Sequence, residues 1–531
     1  MLGGFGLARK CLRITAVHQK ASRRSQLPYT EHMGSHAVIT DAVFEALLQC
    51  EMKAYLLLEG ATGTDPGMAD WQRTLAHKFR KSCSERLRLA APEAQCHDGM
   101  PPLDTLEQGF YRVILDPLIS ISDIHTQLHA LVRMAAGCGA ATVSYSPVRF
   151  VPHEKLAPSD KLLVAFDALA VSRVTGHIPR VGKIVHGSRY ASVTVPLSRL
   201  SGKAQSFLTK LAASRGNATP PPLVLNKHCP ACQFRSRCRQ SALEKDDLSL
   251  LPNISEKDRR KLNNKGIFTV AQLSYTFRPR RPSLRKNSRP LRHDPALKAL
   301  AIRKKQIHVI GTPTFGVPEN AVYLDIEGIP DRNFYYLIGL RYKSDCAWVQ
   351  RSFWADTEAD EKQTWASFLH ALALLGNPQL VHYGSYETQF LKRMKSRYPD
   401  VAADEDGSLD RLISSSRNLL SLTYAQVYFP TYSNGLKDIA GHLGFRWSDD
   451  AASGRHALVW RSQWESSQER SLKRRLLIYN AEDCEAVQQV AEALAEVCSP
   501  HTEANTPKLE SVNAHLLLEK YKRMFRLKRA E

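Results

Sequence analysis

The 531-residue sequence has no uninterrupted run of about 18 apolar residues, which a helix needs to span a bilayer. It also has no apolar segment of the secretory type, and its 11 cysteines are an odd number spread along a long chain. These absences exclude a transmembrane protein and argue against a disulfide scaffold. They predict a cytoplasmic protein in a reducing compartment, where clustered cysteines indicate bound metal.

Acidic residues are few relative to basic ones. The chain has 52 Asp and Glu against 73 Lys and Arg, a formal net charge of +21. Such an excess favours a polyanionic partner, most often nucleic acid, although a solvated basic surface is the alternative. We expect DNA in preference to RNA as the partner, and no membrane. A helicase partner cannot be identified from the sequence.

Composition and pattern divide the chain into several parts. Hydrophobic residues make up 43% of it, enough for several cores. Residues 1–32 are basic, with Glu31 as their single acid, which predicts a leader or a true start at Met33. The predicted parts are a leader or misassigned start (1–35), an N-terminal domain (36–240), a helical unit (246–275), a basic linker (276–318), a C-terminal domain (319–498) and a charged helical tail (499–531).

Carboxylates recur in the C-terminal domain in a pattern typical of a metal site. Asp325 and Glu327 are two apart in AVYLDIEG, so on a strand both point to one face. Glu387 falls in the first turn of a helix that follows a strand ending at Gly384. Tyr479 and Asp483 are four apart on an amphipathic helix and share a face. Clustered carboxylates usually hold Mg²⁺ or Mn²⁺, and two such ions can promote phosphoryl displacement.

These motifs, in this order, resemble the DEDD superfamily of 3′–5′ exonucleases on the ribonuclease-H-like fold, and most closely its YprB-type domains. By that resemblance Asp325 and Glu327 form the first motif, YGSYE supplies Glu387, and YNAEDCEA supplies Tyr479 and Asp483. SNGLKDIAGHLGF resembles the helix that precedes the third motif. The second acid is usually Asp rather than Glu. Asp438 is a substitute candidate that we interpret as a helix surface residue.

A cysteine cluster lies near the end of the N-terminal domain. Cys229, Cys232 and Cys238 have C-x2-C-x5-C spacing, and Cys50 is the candidate fourth ligand. Four thiolates suit Zn²⁺ or an iron–sulfur cluster, and spacing alone does not decide between them. The upstream cysteine and the trio resemble the RecB-like nucleases, including AddB-type helicase-nucleases, which implies a 4Fe-4S clamp and a role in DNA repair. A single helix is predicted over residues 39–55.

The RecB-like resemblance also implies a nuclease site, but this chain departs from its pattern. His129 stands where the first acid is expected, and Asp123 is a stand-in. Glu154 and Lys155 follow the interrupting Pro152. The predicted site is degenerate, so the domain is expected to serve as a nucleic-acid-binding scaffold.

Residues 248–273 resemble a helix-hairpin-helix unit, which holds phosphate through loop amides and a helix dipole. Gly266 would permit its tight turn and Lys265 would add charge; a helical spacer is the alternative. A strip rich in Arg and Lys follows, with Arg278, Arg280 and Arg281 as candidate phosphate contacts.

The sequence therefore predicts an α/β protein with a RecB-like, restriction-endonuclease-like N-terminal domain, a hairpin linker and a ribonuclease-H-like mixed sheet flanked by helices. The expected activity is metal-dependent phosphodiester hydrolysis, a 3′–5′ exonuclease of two-metal type. Catalysis in the RecB-like half and a non-catalytic nucleic-acid adaptor are the alternatives.

Overall fold

The computed structural model describes residues 38–63, 67–121, 123–134, 143–215, 219–279, 292–401, 407–450, 452–499 and 511–514. The described residues from Val38 onward form one compact unit. The predicted leader at 1–35, residues 280–291 of the predicted basic linker and most of the predicted tail lie outside the described residues. The described remainder of that linker includes a helix over Pro295–Lys304 and a strand over Ile307–Val309.

The N-terminal part contains a mixed sheet and the helices that cover it. Its helices are α1 (Asp41–Gln49), α2 (Glu51–Leu58), α3 (Gly67–Leu89), α4 (Leu103–Gln108), α5 (Pro158–Thr175), α6 (Ser198–Ser214) and α7 (Arg235–Glu244). Its strands are β1 (Cys96–Asp98), β2 (Val113–Leu115), β3 (Leu118–Ile121), β4 (Ile124–Gln127), β5 (Ala130–Arg133), β6 (Tyr145–Val151), β7 (Val181–His186) and β8 (Ala191–Pro196).

Six of these strands form one sheet in the order β1-β2-β5-β6-β7-β8, while β3 and β4 form a separate hairpin. The apolar helix α5 packs on this sheet, and its Asp167 receives two 2.8 Å hydrogen bonds from the buried Arg149 of β6. The prediction of one helix over residues 39–55 is wrong, because Cys50 is extended (φ −166°, ψ 122°) and separates α1 from α2.

The middle and C-terminal parts contain ten further helices in the described residues. These are α8 (Glu256–Asn263), α9 (Val270–Ser274), α10 (Pro295–Lys304), α11 (Glu361–Ala373), α12 (Tyr386–Arg397), α13 (Ser408–Ser415), α14 (Leu419–Ala425), α15 (Leu436–His442), α16 (Gly454–Ser467) and α17 (Arg470–Cys498). The strands are β9 (Ile307–Val309), β10 (Ala321–Ile329), β11 (Phe334–Ser344), β12 (Ala347–Trp354), β13 (Gln379–His382), β14 (Arg417–Asn418), β15 (Val427–Tyr428) and β16 (Ser511–Asn513). No helix among the described residues is both long and apolar enough to cross a membrane.

A five-stranded mixed sheet organises the C-terminal part. Its order is β12-β11-β10-β13-β14, with β10, β13 and β14 parallel and β11 antiparallel to both its neighbours. Leu324, Trp365 and Phe390 belong to the core between the sheet, α11 and α12. Tyr323 and Val487 belong to the core on the other face, under α15 and α17. The predicted mixed sheet flanked by helices is thus observed.

The helical unit between the two sheets consists of α8 and α9 joined by a tight turn. Gly266 lies in that turn with φ +75°, a left-handed conformation that glycine adopts without a steric penalty. Ser255 caps α8, and Thr269 caps α9 with a capping box. Helix α10 packs against α9 and leads into the C-terminal part.

A glycine on β11 determines how closely α17 approaches the sheet. Gly339 pairs with Asp325 across the strands, and a Cβ atom there would lie 2.1 Å from Oδ1 of Asn480 and 2.9 Å from Sγ of Cys484. Both contacts are with α17. Any larger residue would push this helix away from β10.

We therefore expect Gly339→Ala to lower the free energy of unfolding by about 1–3 kcal/mol, the usual cost of overpacking a core. Gly441→Ala is the matched control, since Gly441 lies in α15 with nothing within 4 Å of an added Cβ. It should be neutral or slightly stabilising through helix propensity. Urea unfolding measures both, and equal stability of the two variants would contradict this packing argument.

Candidate metal centre

Strand β10 brings two carboxylates to one face of the C-terminal sheet. Alternation along the strand places Leu324 and Ile326 in the core under α11 and α12, and Tyr323 in the core under α17. Asp325 and Glu327 have the same parity as Tyr323 and so face α17. This is the arrangement that the two-residue spacing predicts.

Helix α17 adds a third carboxylate to that face. Tyr479 and Asp483 are both 6% exposed. Ligand oxygens of Asp325, Glu327 and Asp483 lie within 4.8 Å of one another, and no other trio of His, Cys, Asp or Glu in the described ranges does so. Three carboxylates this close form an oxygen donor set that suits Mg²⁺ or Mn²⁺.

Hydrogen bonds from neighbouring side chains fix two of the three carboxylates. Nδ2 of Asn480 donates to Oδ2 of Asp325 at 2.7 Å and to its backbone oxygen at 3.1 Å. Nε1 of Trp447 donates to Oδ1 of Asp483 at 2.7 Å, and the Tyr479 hydroxyl donates to the same carboxylate. Hydrogen bonds within the protein therefore set the orientation of Asp325 and Asp483.

Burial and mutual repulsion make the charged form of these acids unfavourable. Burial, followed by the charge of Asp483, raises the pKa values of Asp325 and Glu327 well above their usual range. Burial also raises the pKa of Asp483 to about 6. Burial, and then the Asp483 charge, raises the pKa of Tyr479, so its phenol stays protonated. A divalent cation would relieve the repulsion among the three acids.

Glu387 lies close to this trio without joining it. It is in the first turn of α12 and 5% exposed, and its charge contributes to the raised pKa of both β10 acids. Its Oε2 has no hydrogen-bond partner, and Nδ1 of the buried His382 lies 3.5 Å away. The structure thus brings three predicted ligands together, with the fourth beside them. Asp438, the substitute candidate, is exposed, as predicted.

One cation near the site was not singled out in the sequence. Nζ of Lys437 donates to the backbone oxygen of Ala452 and lies 4.7 Å from the Trp447 ring centre and 5.1 Å from that of Tyr479. Its charge lowers the pKa of Glu327 and of Asp483, partly offsetting the effect of their burial. Lys437 lies in the SNGLKDIAGHLGF segment, so the resemblance of that segment to the helix before the third motif could have identified it.

The four predicted cysteine ligands converge although they come from distant parts of the chain. Burial, then the neighbouring Cys232, Cys50 and Cys229, raises the pKa of Cys238 to about 11. The Asn226 side chain donates to the Gln49 backbone oxygen at 3.1 Å, which ties the two segments together.

The thiols are spaced more widely than a zinc site requires. The backbone N–H of Asn226 donates to Sγ of Cys229 at 3.1 Å. Within the described residues no three thiols lie within 4.8 Å of one another. Tetrahedral Zn²⁺ with Zn–S bonds of about 2.3 Å would hold its sulfurs about 3.8 Å apart. The donor set therefore fits a larger group better than a single ion.

The residues expected at a RecB-like nuclease site are engaged elsewhere. His129 is half-buried and accepts a 2.9 Å hydrogen bond from the backbone N–H of Phe150, and loss of solvent around its ring lowers its pKa. Glu154 accepts hydrogen bonds from the backbone N–H and the hydroxyl of Ser188, at 2.8 and 2.6 Å. Lys155 is exposed, and Asp123 pairs with Arg173 at 3.0 Å. No trio of metal ligands forms in the described residues of this domain.

The candidate phosphate contacts are only partly described. Lys265 and Gly266 lie in the exposed turn between α8 and α9. Nη1 of Arg278 donates to the backbone oxygen of Tyr275 at 2.8 Å and to that of Phe277 at 3.0 Å. Arg280 and Arg281 lie outside the described residues.

Comparison with known families identifies the part of the chain that holds the acids. Residues 322–495 match the RNase_H_2 family model, which belongs to the RNase_H superfamily. The C-terminal part is a ribonuclease-H-like domain. All four predicted acids and Tyr479 lie within the matched residues. No curated protein matches the chain significantly.

The repulsion among the acids predicts how metal-free stability depends on pH. Groups whose pKa is raised by folding stabilise the fold while protonated, and this contribution is lost as pH rises through the folded pKa values. Asp325→Asn removes one repelling charge, so at pH 8 the metal-free variant should melt higher than wild type. The expected rise in melting temperature is about 2–4 °C for each kcal/mol of repulsion that the substitution removes.

Added Mg²⁺ or Mn²⁺ should raise the melting temperature of wild type by binding the folded state, but not that of Asp325→Asn. Differential scanning fluorimetry at pH 5 and pH 8, with and without metal, measures this. Asp345→Asn, an exposed change in the turn after β11, should behave as wild type. If metal raised the melting temperature of Asp325→Asn as much as that of wild type, the proposed metal site would be contradicted.

Proposed function

We propose that this protein is a metal-dependent nuclease and that hydrolysis takes place in its ribonuclease-H-like domain. The observation that carries the proposal is the buried trio Asp325, Glu327 and Asp483, whose oxygens lie within 4.8 Å of one another. Folding three acids into such proximity is unfavourable without a cation, so the arrangement is best explained by a metal that works there.

The proposed chemistry assigns separate tasks to separate side chains. Mg²⁺ or Mn²⁺, as a pair of ions held by the trio with Glu387, would stabilise charge on the attacking and leaving oxygens of a phosphodiester. Asn480 and Trp447 hold Asp325 and Asp483 in place. Tyr479 orients the attacking water through its hydroxyl; its raised pKa makes it a poor general base.

The resemblance to DEDD exonucleases supports removal of nucleotides from a 3′ end. The formal charge of +21 supports a nucleic-acid substrate, bound through phosphate contacts that include Lys265 and Gly266 in the hairpin turn. We propose DNA as the preferred substrate. The engaged side chains of His129 and Glu154 support a binding rather than a catalytic role for the RecB-like half.

Cleavage of end-labelled single strands of DNA and RNA with Mn²⁺ tests this proposal. Wild type should give a 3′ ladder, and Asp325→Ala should be slower by about 10³-fold, because loss of a ligand removes several kcal/mol of transition-state stabilisation. The matched control is a double substitution in the N-terminal domain, Glu154→Gln with Lys155→Ala, which should keep the activity.

The reverse pattern, with activity lost only in the double variant, would assign the chemistry to the RecB-like half. Binding of the strand without cleavage under any divalent cation would identify a non-catalytic adaptor. Either result would overturn the proposal.

We further propose that Cys50, Cys229, Cys232 and Cys238 hold a 4Fe-4S cluster. The spacing of the thiols supports this choice over zinc. The N–H of Asn226 that donates to Cys229 would stabilise a ligand thiolate in either case. Such a cluster would join residue 50 to the segment 229–238 and close most of the N-terminal domain into a loop. Its role would be structural.

Protein purified without oxygen should be brown and contain about four iron and four sulfide per chain. Cys229→Ser should lose the colour and about 5 kcal/mol of stability, as the cross-link of a long loop predicts. Cys96→Ser, a half-buried cysteine outside the cluster, should keep both. A colourless wild type with about one zinc per chain would contradict the iron–sulfur assignment.

A further inference from the structure

His382 is a fully buried histidine that lies beside the fourth predicted acid. It is the last residue of β13, on the same side of the sheet as Leu380, which belongs to the core under α11 and α12. The chain then turns at Gly384, where φ is +114°, and α12 begins at Tyr386. This short turn brings Glu387, in the first turn of α12, next to the histidine ring.

Two buried polar atoms without a hydrogen-bond partner meet at this point. Within the described part of the chain, Nδ1 of His382 and Oε2 of Glu387 are both enclosed and unpaired, and they lie 3.5 Å apart. Buried polar groups are rarely left without a partner, because the hydrogen bonds that they lose to water are then not replaced. An N–H···O hydrogen bond is about 2.7–3.2 Å long, so a shift of a few tenths of an ångström would form one here.

The neighbours of the ring determine which of its nitrogens carries the proton. An ionised carboxylate has only acceptors, so Nδ1 must be the donor towards Glu387. Nε2 lies 3.3 Å from Oγ1 of Thr388 and 3.3 Å from Oγ of Ser416. The Ser416 hydroxyl donates to the backbone oxygen of Ile413 at 2.8 Å, which leaves the Thr388 hydroxyl as the donor to Nε2. One ring proton, on Nδ1, therefore satisfies the threonine, the histidine and the glutamate together.

Glu387 needs an orienting partner because its side chain is long. It has one more rotatable bond than Asp325 and Asp483, so its carboxylate has more conformational freedom to lose. The two aspartates are each held by a 2.7 Å hydrogen bond from a neighbouring side chain. His382 lies where its Nδ1–H group can give Glu387 the same support.

We infer that His382 is a positioning residue whose Nδ1–H group holds Oε2 of Glu387 and leaves the other oxygen, Oε1, for a divalent cation. The inference rests on the proposed function and names the residue on which its fourth acid depends. The cation would be the second of the proposed pair, since the trio of Asp325, Glu327 and Asp483 would hold the first. Loss of a hydrogen bond that orients a metal-bound carboxylate usually lowers metal affinity by about 10- to 100-fold.

Mn²⁺ binding to the full chain, measured by isothermal titration calorimetry, tests this inference without reference to turnover. Wild type should bind two ions. His382→Leu should bind the first ion as wild type does and the second about 10- to 100-fold more weakly. The matched control is His308→Leu, because His308 is also buried, at 2% exposure, but its Nδ1 contacts the backbone oxygen of Gln306 rather than an acid. This control should bind both ions with wild-type affinity.

His382→Asn separates orientation of the acid from filling of the core. The Asn amide nitrogen lies as many bonds from the backbone as Nδ1 of histidine, so this variant should keep most of the affinity for the second ion. Thr388→Val removes the donor to Nε2 at a half-buried position and should also weaken the second ion. Wild-type binding of both ions in His382→Leu and in Thr388→Val would overturn the inference. Equal weakening in His382→Asn and His382→Leu would do so too, because His382 would then act through packing alone.

The position of the ring proton gives a readout that needs no metal. In metal-free protein labelled with ¹⁵N-histidine, the NMR signals that disappear in His382→Asn belong to His382. These signals should show the proton on Nδ1, and a proton on Nε2 alone would overturn the inference.

A failure of the proposed function gives a different result. Wild type would then cleave no strand, and His382→Leu would still lose the second ion if the inference holds. A wild type that binds fewer than two ions would overturn the inference itself.

Discussion

The close contact of α17 with β10 and β11 is the constraint on which the candidate site depends. Gly339 allows this contact, because any side chain there would displace Asn480. Once the helix is seated, Asn480 bonds Asp325 and Asp483 comes within reach of both β10 acids. The same contact buries the apolar side of α17 against the sheet, so core packing provides the free energy that holds repelling charges together.

A second helix couples the remaining parts of the chain to this centre. Ala299 of α10 packs in one core with Val270 of α9, while Lys298 of the same helix bonds the loop that carries Asn434. A buried lysine bound only to uncharged oxygens has a lowered pKa, about 7, through burial. Three hydrogen bonds offset the free-energy cost of burying the Lys298 ammonium group, and they set the conformation of the loop beside the acids.

Local patterns predicted the acids because spacing determines which face a side chain occupies. The two-residue step between Asp325 and Glu327 and the four-residue step before Asp483 each follow from strand and helix geometry. The mixed sheet was predicted for the same reason. Trp447 contributes through a tertiary contact that no local periodicity reveals. Asn480 lies three residues before Asp483, so helical spacing could have identified it.

The central claim is that the buried acids form a cation site, and diffraction from crystals soaked in Mn²⁺ tests it most directly. The account predicts an anomalous scattering peak bound by oxygens of Asp325, Glu327 and Asp483, with the acids in the positions that Asn480 and Trp447 impose. The peak should be absent from crystals of Asp325→Asn. An ordered trio of carboxylates with no peak between them, at saturating Mn²⁺ and neutral pH, would contradict the account.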